Sequence, residues 1–225
     1  MGTCCSSNKH SKKLNTESKT TILSMDLSRN NLVEIPMDVF EPSLEFLDLS
    51  YNKLNDLNPV LIRCTQLKVL NLSDNHLEDI PDALKSLKEL TELNLSHNKL
   101  QYIPLVINQF AQLTKLDLSN NSIEKIYGTI TEMITLRELR LNDCSICFLP
   151  ANLGRLVNLE VLEVRGNGLE GLPPTFKLLI KLTLLDIGRN YFRVLVRYPY
   201  IYPLLLRITN ILLLAIGTWN IKRTN

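Results

Sequence analysis

The first six residues, MGTCCS, contain the residue types used for N-terminal lipid attachment. Gly2 followed four residues later by Ser6 fits the M-G-x-x-x-[ST] pattern of N-myristoylation, and Cys4 and Cys5 stand where palmitoylation commonly occurs. We therefore predict that Gly2 accepts a myristoyl chain and that Cys4 and Cys5 accept palmitoyl chains. Together these modifications would attach the chain to a membrane.

Stable membrane residence requires a second signal besides one acyl chain. A single myristoyl chain supports binding of only about 10⁴ M⁻¹, and a second chain or a basic patch strengthens it. The sequence offers both, because Lys9, Lys12 and Lys13 follow the two cysteines. The alternative is that residues 1–20 are a polar leader in which Gly2 is accidental. In either case, the scarcity of apolar residues predicts a flexible leader over residues 1–20.

The other residues that could carry chemistry form no recognisable catalytic or metal-binding set. The three histidines have no Cys, Ser or carboxylate partner at a meaningful spacing, and the chain has no Gly-rich phosphate loop. Cys144 and Cys147 have C-x-x-C spacing, but no second Cys pair or His pair stands nearby. We predict that the chain is not an enzyme and uses no cofactor, metal or small-molecule substrate.

An apolar residue opens a near-identical phrase eight times, and these repeats must position any binding residue. The third copy reads L-x-x-L-x-L-x-x-N-x-L-x-x-I-P-x-x-L-x-x-L from Leu67. Leu70 and Leu72, two residues apart, predict a short strand, and the apolar spacing after the proline predicts a short helical or 3₁₀ segment. Stacked copies predict an α/β solenoid with a parallel concave sheet. The copies open at Ile22, Leu44, Leu67, Leu90, Leu113, Leu136, Leu159 and Leu182.

A polar residue follows each predicted strand at a fixed distance. The chain turns inward there, and buried backbone groups need a side chain that can both donate and accept hydrogen bonds. Asparagine does both, so we predict a structural asparagine ladder, in which Cys144 takes the sixth place. The ladder positions are Asn30, Asn52, Asn75, Asn98, Asn121, Cys144, Asn167 and Asn190.

The repeated phrase resembles the leucine-rich repeat, and its 23-residue length is similar to the intracellular class typified by the Ras suppressor protein and the Ras-associated scaffold proteins. The resemblance covers residues 22 to about 195. It implies a leucine-rich-repeat horseshoe and a protein-binding function, with a small-GTPase pathway as the biological setting. We accordingly divide the chain into a leader (1–20), a solenoid of eight repeats of which the last is partial (21–195) and a tail (196–225).

Charge and cysteine content favour a cytoplasmic protein that binds proteins rather than nucleic acid. The net charge is +2, which divides into +3 for residues 1–20, +5 for residues 193–225 and hence −6 for the repeats between them. An acidic solenoid does not have the composition of a nucleic-acid binder. Five cysteines, an odd number, without paired caps around the repeats indicate a reducing compartment. We predict a cytoplasmic, membrane-associated protein at an inner leaflet.

The tail departs from the repeated phrase, because Val196 stands where proline is expected. Residues 201–219 are largely apolar but contain Pro203, Arg207 and Asn210. Three interpretations remain open, namely a cap over the last repeat, a membrane-associating segment, or an aberrant ending from unspliced or alternative sequence. We favour the cap, because Arg207 and Asn210 would be poorly tolerated in lipid.

The outward-facing strand positions of the concave face are the predicted partner-binding surface. Copies two to four place apolar and aromatic residues there, and copies six to eight place a mixed-charge field in which arginine could pair with an acidic partner. The alternative is that neighbouring opposite charges only neutralise one another. The predicted binding residues are Phe46, Tyr51, Val69, His97, Arg137, Arg140, Glu163, Arg165 and Arg189.

Two functions follow from these features. The favoured one is a lipid-anchored scaffold or adaptor in signal transduction, with a protein partner on the concave face. The alternative is a soluble regulatory or targeting subunit of an enzyme such as a protein phosphatase, with an incidental N-terminal motif.

Overall fold

The computed structural model describes residues 23–37, 41–192 and 210–211, and it contains one short strand for each of the eight repeats and a ninth strand in the tail. All neighbouring strands pair in parallel and in sequence order, from β1 at one edge to β9 at the other. This confirms the predicted parallel sheet and solenoid. The strands are β1 (Ser24–Asp26), β2 (Phe46–Asp48), β3 (Val69–Asn71), β4 (Glu92–Asn94), β5 (Lys115–Asp117), β6 (Glu138–Arg140), β7 (Val161–Glu163), β8 (Leu184–Asp186) and β9 (Asn210–Ile211).

The strand register aligns the repeats residue for residue. Leu47 lies opposite Leu70, which lies opposite Leu93 on the next strand, and all three are buried. A shift by one residue would turn these leucines to the opposite face of the sheet. The apolar spacing of the sequence therefore fixes the register, and each outward-facing residue stands beside its equivalent in the next repeat.

The convex segments in the described part of the chain are 3₁₀ helices. Leu84 N–H donates to the Pro81 carbonyl at 3.0 Å, and Leu87 N–H donates to the Leu84 carbonyl at 3.0 Å. These bonds span three residues, which suits the short connection between the proline and the next opening leucine. The segments are Pro59–Arg63, Asp82–Ser86, Leu105–Gln109, Gly128–Glu132, Leu153–Arg155 and Pro174–Leu178.

One apolar core runs from Ile35 to Phe192 without interruption. Leucine and isoleucine fill most of it, and Phe176 is its largest fully buried side chain. Because each repeat buries its apolar side chains against the repeats on either side, stability depends on interfaces between neighbours.

The described part of the tail adds one strand to the sheet. In β9, Asn210 pairs with Leu184 and Ile211 pairs with Leu185. The rest of residues 196–225 lies outside the described residues, as do residues 1–20 with the predicted lipidation sites Gly2, Cys4 and Cys5. Within the described ranges, no helix is long and apolar enough to cross a membrane.

Candidate functional site

The ladder residues join the end of each strand to the preceding repeat. Asn98 Nδ2 lies 2.9 Å from the Leu72 carbonyl, 3.1 Å from the Leu95 carbonyl and 3.2 Å from the Ser96 carbonyl. Its Oδ1 accepts a hydrogen bond from Leu77 N–H at 2.9 Å. Two of these four bonds therefore cross to the preceding repeat, and they position the strand ends that carry the outward-facing residues.

Cys144 makes a weaker contact at the sixth ladder position. Its Sγ lies 3.5 Å from the Leu118 carbonyl and 3.6 Å from the Asn142 carbonyl. Burial raises the pKa of the Cys144 thiol, so the thiol stays protonated and poorly nucleophilic at neutral pH. Cys147 is exposed, and both are free thiols. Among the described residues, no three His, Cys, Asp or Glu side chains are placed to hold a metal ion.

The residue before each ladder position has a left-handed backbone, with φ between 49° and 67°. Tyr51, His97 and Arg189 occupy this turn and not the strands. Phe46 and Val69, by contrast, pair in register on β2 and β3. The single aromatic strip expected from the sequence is therefore two separate rows. The turn row consists of Arg29, Tyr51, Asp74, His97, Asn120, Asp143, Gly166 and Arg189.

Four of the five predicted charged binding residues form ion pairs within the chain, and Arg140 and Glu163 pair with each other. Arg140 Nη2 lies 2.9 Å from Glu138 Oε2, and Arg140 Nε lies 3.1 Å from Glu163 Oε1. Burial alone would lower the pKa of Arg140, but the hydrogen bond and negative charge of Glu163, with the charge of Glu138, raise it. These contacts support the alternative interpretation, in which opposite charges on neighbouring strands neutralise one another.

The flanking arginines also have acidic neighbours. Arg137 Nη1 lies 2.6 Å from Glu160 Oε1, and Arg165 Nη1 lies 3.9 Å from Asp186 Oδ2. Arg189 has no ion pair within the described residues. The mixed-charge field is therefore mostly satisfied within the chain, and an acidic partner would have to compete with existing pairs.

Glu163 ends β7 at the position where six other strands end in Asp or Asn, and Asn142 of the preceding repeat compensates for this difference. In six other strands, the last side chain accepts a hydrogen bond from the backbone N–H two residues later, as Asp48 Oδ1 does from Ser50 N–H at 2.8 Å. In β7, Asn142 replaces this bond, because its Oδ1 accepts from Arg165 N–H at 2.9 Å while its Nδ2 donates to Glu163 Oε2 at 2.7 Å. The six strands end at Asp26, Asp48, Asn71, Asn94, Asp117 and Asp186.

A shallow groove of about 240 Å³ crosses the concave face from β2 to β6, and we call it the concave groove. Phe46, 37% exposed, and Val69 line one end. Charged side chains line the other end, where Lys115 Nζ lies 3.0 Å from Glu92 Oε1, and the hydrogen bond that Lys115 donates to Glu92 raises the pKa of Lys115. The full lining is Phe46, Val69, Leu70, Asn71, Glu92, Leu93, Asn94, Lys115, Leu116, Asp117 and Arg140.

The groove unites only three of the predicted binding residues, Phe46, Val69 and Arg140. Glu92, Lys115 and Asp117 also line it, although the sequence did not single them out for binding. Asp117 belongs to the recurrent LDLS phrase, and Glu92 and Lys115 occupy the strand position equivalent to Phe46 and Val69. Because Glu92 and Lys115 share this strand position with Phe46 and Val69, the sequence alone could have identified them as candidate binding residues.

Comparisons with known proteins agree with this architecture. A leucine-rich-repeat model matches residues 21–77, and a model of two leucine-rich repeats matches residues 65–107 and 88–132. These matches do not identify the narrower Ras suppressor class, which stays a prediction. No curated protein sequence matches the chain significantly.

Solved structures support the same fold. A leucine-rich-repeat protein from Leptospira interrogans is 24% identical, with a TM-score of 0.61 over 77% of this chain and 56% of that one. An internalin from Listeria monocytogenes is 22% identical, with a TM-score of 0.52 over 66% of this chain and 49% of that one. The chain thus spans about half the length of each. At this identity the similarity establishes the fold, and leucine-rich-repeat domains generally mediate protein–protein interactions.

Proposed function

We propose that this leucine-rich-repeat solenoid is a non-enzymatic scaffold that holds a protein partner on its concave face at the cytoplasmic side of a membrane. The observation that carries the proposal is the concave groove, which combines the exposed Phe46 with ion-paired charges around Lys115. An aromatic anchor beside a polar rim is the arrangement found at the energetic centre of many protein interfaces.

The groove suits a partner that inserts an apolar side chain beside Phe46. Val69 stands directly opposite Phe46 on the next strand, so the two form one apolar contact area. Lys115 already pairs with Glu92 at 3.0 Å and Glu138 at 3.9 Å, so that end of the groove can favour a polar partner surface without burying an unpaired charge. Resemblance to the Ras suppressor class supports a small-GTPase pathway as the source of the partner.

Replacing Phe46 and Lys115 with alanine should reduce recovery of the specific partner by roughly ten-fold or more, because the apolar anchor and a rim charge are both removed. The measurement is affinity purification of the tagged full chain from cells, with quantitative mass spectrometry. The matched control is Tyr102→Ala with Leu105→Ala, since both side chains are exposed and lie outside the groove. Retention of every partner by the Phe46 and Lys115 variant would contradict the concave site.

Membrane attachment rests on the N-terminal motif and is tested separately. Gly2→Ala should move most of the protein from the membrane fraction to the cytosol, and Cys4→Ala with Cys5→Ala should leave only weak association, because one acyl chain binds at about 10⁴ M⁻¹. Cell fractionation and metabolic labelling with fatty acids measure both effects. Absence of label from the wild-type chain would refute acylation and favour the soluble regulatory-subunit alternative.

A further inference from the structure

Three exposed apolar side chains form a continuous row outside the sheet, and we call it the outer stripe. Ile134, Val157 and Ile180 are 56%, 47% and 63% exposed. Each stands two residues before the opening leucine of its repeat, between the 3₁₀ segment and the strand. The 23-residue spacing makes them equivalent positions in repeats six, seven and eight, so they lie side by side along the solenoid.

The same position is polar or small in three earlier repeats, where it holds Thr65, Lys88 and Ala111. The fold therefore does not require an apolar residue at this position. The position faces outward in every described repeat, and β-branched apolar residues there add nothing to the core. Rows of exposed apolar residues on soluble domains commonly mark interaction sites. Leu178, 49% exposed at the end of the last 3₁₀ segment, widens the stripe.

Three cationic side chains lie in or next to the segments of Val157 and Ile180, and one of them, Lys181, donates a hydrogen bond to Asn158 Oδ1 at 2.7 Å. Arg155 and Lys177 lie in the 3₁₀ segments that precede Val157 and Ile180, and Lys181 follows Ile180. Glu132, before Ile134, is the one acid among the described residues 128–135, 151–158 and 174–181, so these three segments carry +2. The repeats as a whole carry −6, whereas these segments are basic, and the equivalent residues 59–66, 82–89 and 105–112 of three earlier repeats carry +1.

The geometry points to an anionic membrane surface as the occupant: we propose that the outer stripe inserts Ile134, Val157 and Ile180 at the lipid interface while the neighbouring cations contact acidic headgroups. This combination of apolar and cationic side chains is the one that binds anionic lipid interfaces. Charge disfavours the alternatives within the chain, because a second copy of this area is also basic and residues 193–225 carry +5 without an acid.

The inference extends the proposed function by assigning an orientation to the solenoid. Acylation near the N-terminus would hold the chain at the membrane without determining which face of the solenoid lies against it. A contact through the outer stripe lies outside the sheet and leaves the concave groove open to a partner. Membrane binding through the stripe needs no acyl chain, so it can be tested on the unacylated full-length chain, independently of Gly2 and of any protein partner.

The test compares binding of the unacylated chain to vesicles of phosphatidylcholine with and without phosphatidylserine. We expect the wild type to prefer vesicles that contain phosphatidylserine, and Ile134→Glu with Ile180→Glu to lower that binding about ten-fold or more. The matched control is Thr65→Glu with Ala111→Glu, which adds the same charge at equivalent positions and should bind more tightly than the stripe variant. Thermal melting verifies that both variants are folded.

The proposal is overturned if the wild type binds neither vesicle, if it binds both equally, or if both variants lose binding to the same extent. Unchanged binding of the stripe variant would assign lipid contact to another part of the chain and would also overturn it. A failure here leaves the acylation and concave-groove experiments unaffected, since those measure fatty-acid labelling and partner recovery.

Discussion

Replacing Asn98 with leucine should lower the free energy of unfolding by roughly 1 to 3 kcal/mol, because buried carbonyls and the Leu77 N–H lose their partner. Asn98 is buried in the middle of the stack, and its amide makes four hydrogen bonds. Leucine has a similar size but offers no donor or acceptor. Chemical denaturation of the wild type and the variant measures the difference.

The matched control is Asn30→Leu at the first ladder position. Asn30 is exposed, and its side-chain amide donates one hydrogen bond, to the Ser28 carbonyl at 2.9 Å. That change should cost well under half as much. Asn190 makes four bonds, as Asn98 does, so its replacement should cost nearly as much despite its place in the last repeat. Equal, negligible effects at Asn98 and Asn30 would show that the ladder does not stabilise the solenoid.

Ending the chain after Val196 should lower stability by roughly 3 kcal/mol or more and promote aggregation, since burying a leucine or isoleucine contributes about 1.5 to 3 kcal/mol. The truncation removes β9, which pairs with β8 through Leu185 and Ile211. Leu185 and Ile187 are as buried in the last repeat as their equivalents in the middle of the stack. Thermal melting with light scattering detects both effects.

A shorter truncation after Leu214 provides the control, because it keeps Asn210 and Ile211. It should melt close to the full chain. If the chain ending at Val196 melts at the same temperature and stays monodisperse, the tail does not act as a cap. Retention of Gly2→Ala protein in the membrane after alkaline washing, reversed by the truncation, would instead support a membrane segment.

The spacing around β9 explains why the tail did not look like a repeat in the sequence. Ile211 pairs with Leu185, so the two equivalent positions are 26 residues apart, whereas the spacing is 22 residues between β1 and β2 and 23 between the later strands up to β8. Counting back from Ile211, Ile208 and Pro199 stand where Leu182 and Pro173 precede Leu185. A search with a fixed 23-residue period aligns Val196 with Pro173 and therefore misses the equivalence of Pro199 and Pro173. The shifted spacing predicts a ninth repeat with three additional residues.

The fold was predictable because its determinants are local and repeated. The L-x-x-L-x-L spacing defines a strand and its buried side. Eight copies can cover their apolar faces by stacking on one another, which makes the strands parallel. The left-handed turns were not predicted, since the residues there, including Tyr51 and His97, share no chemical type. Their shared feature is position, one residue before the ladder.

The candidate site was less predictable, because it depends on neighbours that are 23 residues apart. The sequence identified Arg140 and Glu163 as possible binding residues but could not decide whether they face a partner or each other. Their 3.1 Å contact and the bond from Asn142 to Glu163 settle which side chains are already satisfied. Phe46 and Lys115 then become the better choices for mutation.

Cys144 is expected to make repeats five and six more weakly coupled in unfolding than the other neighbouring repeats. In a linear array, the free energy that couples adjacent repeats determines whether the array unfolds as one unit or in blocks. Asparagine ladder residues couple neighbours through two hydrogen bonds of a strongly polar amide, whereas the Cys144 thiol, a weak donor and acceptor, crosses the same interface with contacts such as the one of 3.5 Å to the Leu118 carbonyl. Repeats one to five and six to eight are therefore expected to behave as two cooperative blocks. The concave groove crosses their boundary, between Lys115 and Arg140, so a partner bound there would hold the two blocks together.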